Sequence, residues 1–257
     1  RSVLFRVWAP NAQKVAVVGD FNSWKEDALL KDPRQAGFWL LDTKRARPGD
    51  AYQYVIDGQY RRDPRARAVR QEENKALILD PRAAAASLAV GWKMPPRDDL
   101  VIYEMHLGTF AYDIPGTDPL FTRAAKRLPY LKALGINCIQ LMPVNEFSGD
   151  RSWGYNPGDL FAVENAYGGA AGFKSFIKAC HSNGVAVLLD IVHNHYGPGD
   201  IAVWQFDQRL PETDGGIYFY SDEERAMTEW GPRPDYSRPE VRAFIVDSVR
   251  MFTDEYC

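Results

Sequence analysis

From residue 3 to about residue 80 apolar and polar positions alternate in short runs: "VLFRVWAP", "KVAVVGDF", "GFWLLDTK", "AYQYVIDG" and "KALILD". A period of two over four to eight residues predicts half-buried β-strands. Turn formers separate the runs, at Pro10-Asn11, Gly19-Asp20, Pro48-Gly49 and Asp57-Gly58, with the spacing of hairpins in a small sandwich. Residues 1–85 therefore read as one immunoglobulin-like β-sandwich. The stretch "DPRAAAASLAVGWKMPPRDD" breaks the alternation with an alanine run and paired prolines, which stiffen and extend a chain. Residues 86–98 are read as a linker.

After residue 98 the rhythm changes to nearly continuous apolar runs that alternate with helical stretches. The order is strand "LVIYEMHLGTF", helix "RAAKRLPYLKALG", strand "INCIQLMPV", helix "AGFKSFIKACHSNG", strand "VAVLLDIVHNH". Wholly apolar strands predict burial on both faces, as in a parallel sheet covered by helices. Gly135 and Gly184 close the two helices just before a strand, as the turns of repeated βα units do. In "RPEVRAFIVDSVRMFTDEYC" the residues Val241, Phe244, Ile245, Val249 and Phe252 recur at helical spacing and predict a third helix. Residues 99–257 thus read as about three βα units, the first part of a (β/α)8 TIM barrel. A closed barrel takes about 250 residues, and three of its strands leave an open edge. The chain is expected to be one part of a longer barrel or to pair with a missing second part.

Polar residues gather where these strands end: Glu104 and His106, then Asn145 and Glu146, then Asp190, His193, Asn194 and His195. In barrels this end carries the active site. The densest group is "LLDIVHNHYGP". Asp190, His193 and His195 could ligate a metal, although zinc sites usually add a further spaced His or Cys and none is evident. The same donors suit hydrogen bonding to a neutral polyol. His193 also fits a core histidine with a satisfied partner.

Bulk properties narrow the partners. The formal charge is −3, with 46% hydrophobic and 25% charged residues, so neither nucleic acid nor an anionic membrane is the expected partner. The longest apolar stretch, residues 185–192, is far shorter than the roughly 20 residues that span a bilayer. The first residues lack the basic-then-apolar pattern of a signal peptide. Cys138, Cys180 and Cys257 are odd in number and unrelated in context, which suggests reduced thiols and a cytoplasmic home.

"DIVHNH" resembles the first short motif of the α-amylase superfamily, glycoside hydrolase family 13, and "SWGYNPGDLFAVENAYGG" resembles the segment before it. "FRVWAPNAQKVAVVGDFNSW", "YQYVIDG" and "RRDP" resemble the family 48 carbohydrate-binding module that precedes the barrel in branching, debranching and trehalohydrolase enzymes. The resemblance implies that Tyr155 stacks on the sugar beside the cleaved bond, that His195 bonds its primary hydroxyl, and that Asp190 orders the loop. Asn194 matches a calcium-binding position of many α-amylases, an ion the branching and trehalohydrolase types often lack, so no obligatory metal or other cofactor is expected. Trp24 and Tyr60 match glucan-contacting positions of some modules, with packing as the competing role of the tryptophan.

The family reaction is retaining, with a nucleophile and a protonated acid about 5 Å apart. The resemblance implies that both lie beyond Cys257, so this chain alone is expected to be inactive and neither Glu104 nor Asp190 takes the attacking role. "VIYEMHLGTF" leans toward branching enzymes and trehalohydrolases, whereas "VHNH" leans toward amylases. A 1,4-α-glucan branching activity of the parent is the first expectation. Hydrolysis of α-glucan or of maltooligosyltrehalose is the second, and a non-catalytic glucan-binding role the third.

Overall fold

The computed structural model describes residues 2–80, 91–149 and 151–256. The expected boundary at residues 85 and 86, the alanine run, the first part of the linker and Cys257 lie outside the described residues.

The first part is an antiparallel sandwich. Strands β1 (Val3–Trp8), β5 (Phe38–Thr43) and β4 (Leu30–Lys31) form one sheet. The other runs β3 (Asp27–Ala28), β2 (Val15–Gly19), β6 (Ala51–Ile56), β9 (Lys75–Leu77), β8 (Val69–Arg70), with β7 (Gln59–Arg61) also paired to β6. The period of two sorts the faces. In the β2 and β6 register Val15 lies opposite Ile56 and Val17 opposite Tyr54, and these four join the core with Phe5 and Tyr52. Ala16, Val18 and Val55 point the other way and make a separate small cluster, against which Trp24 packs. Asp57 and Gly58 both take positive φ, as a two-residue turn between β6 and β7 requires. The four short strands β3, β4, β7 and β8 carry too few residues to show a period in the sequence.

The second part is built on three parallel strands, β10 (Ile102–Met105), β11 (Cys138–Leu141) and β14 (Ala186–Leu189), in that order. All are shorter than expected, and residues 107–110 form a helical turn, α1 (Leu107–Phe110), instead of continuing the first strand. The expected single helix at residues 123–135 is two, α2 (Leu120–Ala125) and α3 (Leu128–Ala133). Pro129 accounts for the break: it has no N–H to donate, and its ring would collide with the carbonyl four residues back. In the first turn of a new helix, where its missing N–H would have no partner within the helix, it is tolerated.

Helices α3 and α4 (Gly169–Ser182) end as expected at Gly135 and Gly184, both with positive φ. Ile136 N donates to Leu131 O and Val185 N to Cys180 O, beside the bonds from Gly135 N to Lys132 O and from Gly184 N to His181 O, which is the Schellman stop. The last helix, α5 (Pro239–Tyr256), buries Val241, Phe244, Ser248, Met251, Phe252 and Tyr256. Val249 is only half-buried, because the buried stripe drifts past it.

Two features were not expected. Strands β12 (Asn145–Phe147) and β13 (Pro157–Val163) form an antiparallel hairpin beyond β11. The edge strand β10 is also open: Ile102 is 47% and Tyr103 37% exposed, whereas Ile139 and Leu141 of the central strand are fully buried. An edge strand has a neighbour on one side only, so its apolar run is not covered on both faces.

The two parts share one apolar core and a polar seam. Trp8 meets Tyr218 edge to face at 5.2 Å. Arg62, 1% exposed, donates to Asp159 at 2.8 Å and to Asp200 at 3.1 Å. Arg65 pairs with Asp247 and Arg67 with Glu255, and Asn165 Nδ2 reaches Val69 O. The "RRDP" segment thus works as part of the seam.

Candidate functional site

Parallel strands send their following residues to one end, so the segments after Met105, Leu141 and Leu189 meet there. Asp190 follows β14 directly, and its N–H donates to Leu141 O, which continues the ladder by one bond. Tyr155 arrives from the loop between β12 and β13. Its preceding residue, Gly154, has φ +90°, and a Cβ there would collide with Pro143 O, so only glycine lets the loop lie this close to the strand end.

Tyr155 Oη donates to Asp190 Oδ2 at 2.8 Å. That bond, with partial burial and the charges of Asp190 and Glu104, pushes the phenol up to about 12, so Tyr155 stays a donor. The residue stays 39% exposed. His195 is buried behind it. Its Nε2 donates to Tyr155 O at 2.7 Å, and its Nδ1 lies 2.8 Å from Asn194 Oδ1. His195 therefore braces the Tyr155 backbone, and the sequence-expected residues Tyr155, Asp190, Asn194 and His195 form one connected group.

A second brace comes from the β10 end. His106 Nε2 donates to Ser152 O at 2.8 Å, and Tyr167 Oη donates to the same oxygen at 3.2 Å. Two exposed tryptophans went unremarked in the sequence. Trp230, 62% exposed, lies 5.9 Å from the His195 ring, and Trp153, 70% exposed, sits two residues before Tyr155. Tryptophan amid Gly, Ser, Asp and Asn in a loop was the available signal, since a loop offers no core to fill.

Other expected groups do different work. Asn145 and Glu146 do not line the site: both are buried in the hairpin, where Asn145 Nδ2 donates to Leu160 O and Glu146 accepts from Asn165 N. Burial, then the neighbouring Glu164 charge, pushes the Glu146 carboxyl up to about 8. His193 is not a satisfied core histidine. Neither ring nitrogen has a partner among the described residues, and burial pushes the ring down to about 4. Only its carbonyl is engaged, by the Tyr236 hydroxyl.

Asn194 Oδ1 faces the His195 ring, both His195 nitrogens are engaged, and no three His, Cys, Asp or Glu side chains gather among the described residues. No helix of the described residues is long and apolar enough to cross a membrane.

Trp24 and Tyr60 lie together on the outward face of the sandwich sheet, Tyr60 opposite Val55 in the β6 and β7 register. Tyr60 is 54% exposed. Trp24 is less free: it packs on the small apolar cluster, its Nε1 donates to Asp20, and Lys75 Nζ sits 4.5 Å above its ring. Of the two roles read from the sequence for Trp24, packing is the one these contacts describe.

Residues 1–83 match the family described as carbohydrate-binding module 48 (isoamylase N-terminal domain), and residues 124–244 match that described as alpha amylase, catalytic domain. The chain is 33% identical to the 1,4-alpha-glucan branching enzyme GlgB of Oceanobacillus iheyensis, over 100% of this chain and 42% of that enzyme. It is 34% identical to the malto-oligosyltrehalose trehalohydrolase of Saccharolobus solfataricus, over 99% of this chain and 42% of that one. The solved structure of pullulanase from Bacillus acidopullulyticus superposes with a TM-score of 0.81 at 28% identity, over 99% of this chain and 36% of the pullulanase. The chain spans less than half the length of each of these relatives.

Proposed function

We propose, for a chain that joins a carbohydrate-binding module 48 segment to part of an alpha-amylase catalytic domain, that it supplies the sugar-binding side of an α-glucan-processing enzyme, of 1,4-α-glucan branching type. The observation that carries this reading is the Tyr155 and Asp190 pair at the parallel strand ends. A tyrosine held by its hydroxyl and partly exposed suits stacking on a pyranose, and the hydrogen-bonding groups around it suit a polyol. Asp190 fixes the phenol, while His195 and Asn194 hold the loop that carries it. The three parallel strands are read as the opening strands of a barrel whose closure brings the remaining groups to the same end.

Retaining cleavage needs a nucleophile and a protonated acid on opposite sides of the bond. Asp190 is already engaged by Tyr155, and Glu104 sits on the open edge strand, so this reading assigns neither role within the chain. The chain alone is accordingly expected to bind without turnover. Hydrolysis is the second reading, favoured by the trehalohydrolase similarity. Two buried, unpaired thiols, Cys138 and Cys180, are compatible with a reducing compartment such as the cytoplasm.

Iodine-stained amylose treated with the whole enzyme separates the possibilities. Branching shifts the colour without new reducing ends, and hydrolysis releases them. An unchanged colour with no reducing ends would sink both.

A further inference from the structure

The chain has seven tryptophans. Trp8 packs on Tyr218, Trp39 donates to Ala9 O, Trp92 stacks on His181 and Trp204 meets Phe219. Trp24 is packed and capped by Lys75, and Trp230 lies over His195. Trp153 alone has neither a ring, a cation nor a hydrogen-bond partner for its indole among the described residues, and it is the most exposed at 70%.

Its backbone, in contrast, is held on both sides. Ser152 O accepts from His106 and Tyr167, Ser152 Oγ accepts from Gly154 N and bonds Asn156, and Gly154 is pressed on Pro143. A large apolar surface kept in water on a pinned loop has already paid part of the ordering entropy of binding. Such rigid aromatic surfaces are what stacking sites consist of.

We propose that Trp153 is a second stacking platform, which takes a glucose ring of the same α-glucan outward of the one held at Tyr155. The proposal rests on the strand-end site described above and deepens it: the site prefers oligosaccharides long enough to span both rings. The indole face receives the apolar C–H face of the pyranose, and its Nε1–H is free to donate to a sugar hydroxyl.

Isothermal titration of the chain with maltotriose and maltohexaose tests this, using Trp153→Ala, Trp153→Phe and Tyr155→Ala. The expectation is that Trp153→Ala weakens maltohexaose about five- to tenfold, roughly the worth of one aromatic contact. Maltotriose changes far less, Trp153→Phe retains most of the affinity, and Tyr155→Ala weakens both ligands. If Trp153→Ala binds maltohexaose like the parent, or weakens both ligands equally, while Tyr155→Ala weakens both, the outward platform alone is overturned. If the chain binds neither ligand, or Tyr155→Ala has no effect, the strand-end site itself falls and the platform with it.

Discussion

Arg62 Nε donates to Asp159 Oδ1 at 2.8 Å across 97 residues of chain, with both side chains all but fully buried. The pair joins the sandwich to the hairpin that carries Tyr155. Two charges are costly to bury, and they hold each other in place only while both remain. Asp200 and Asn74 complete the guanidinium's bonds, yet Asp159 Oδ2 has no partner among the described residues.

Arg62→Met is therefore expected to lower stability by about 3–5 kcal/mol, because Asp159 is left buried without its main partner. The double variant Arg62→Met, Asp159→Leu should recover much of that loss. Urea midpoints for the two variants and the parent check it. A single variant no weaker than the double would contradict the seam as described.

Burial also sets a pH dependence. It lifts Glu146 to about 8 and, against the pull of Arg62, Asp159 to about 6. A carboxyl whose pKa is higher folded than unfolded binds its proton more tightly in the native state. The stability it contributes is present at low pH and lost as pH rises through the folded value. Between about pH 5 and pH 9 these two groups therefore lower the unfolding midpoint. Glu146→Gln should flatten the upper part of that slope, measured as thermal midpoint against pH. A slope identical to the parent's would argue against this assignment.

Gly154→Ala places a Cβ against Pro143 O at a positive φ. The expected cost is about 1–3 kcal/mol of stability, with weaker maltohexaose binding because Tyr155 is the next residue. Gly135→Ala is the control. Nothing lies within 4 Å of a Cβ there, so it strains a helix stop without touching the site.

On the sandwich, Trp24→Ala removes packing from Ala16, Val18 and Val55 and should cost about 1–3 kcal/mol. Tyr60→Ala should stay within about 0.5 kcal/mol, as exposed positions do. Tyr60 is thus the clean probe of polymer binding: the expected outcome is reduced retention on amylose with an unchanged unfolding midpoint.

Much of the fold was legible because local rules and burial agreed. Alternation separated Val15 and Val17 from Ala16 and Val18, and Gly135 and Gly184 marked both helix stops. The hairpin of β12 and β13 was hidden for a physical reason. All seven residues of β13 are buried, so no alternation survives, and the pairing shifts register on both sides of Glu146. The seam was hidden because nothing local to "RRDP" distinguishes the buried Arg62 from the partly buried Arg61.

The site was legible as residues and not as geometry. Tyr155 and Asp190 stand 35 positions apart, and their bond depends on a glycine-permitted loop approach that no periodicity records. Asn145 and Glu146 looked like strand-end polar groups because the second hairpin could not be seen. The braces on Tyr155 through His195 and on Ser152 through His106 emerged only from the fold.

The central claim is that the parallel strand ends hold α-glucan through Tyr155. Affinity electrophoresis through amylose gels tests it most directly, with the parent chain and Tyr155→Ala each carrying Tyr60→Ala, so that the sandwich contributes equally to both. The account predicts that amylose retards the Tyr155 chain and that Tyr155→Ala runs close to its mobility in plain gel. Equal retardation of the two, or no retardation of either, would contradict it.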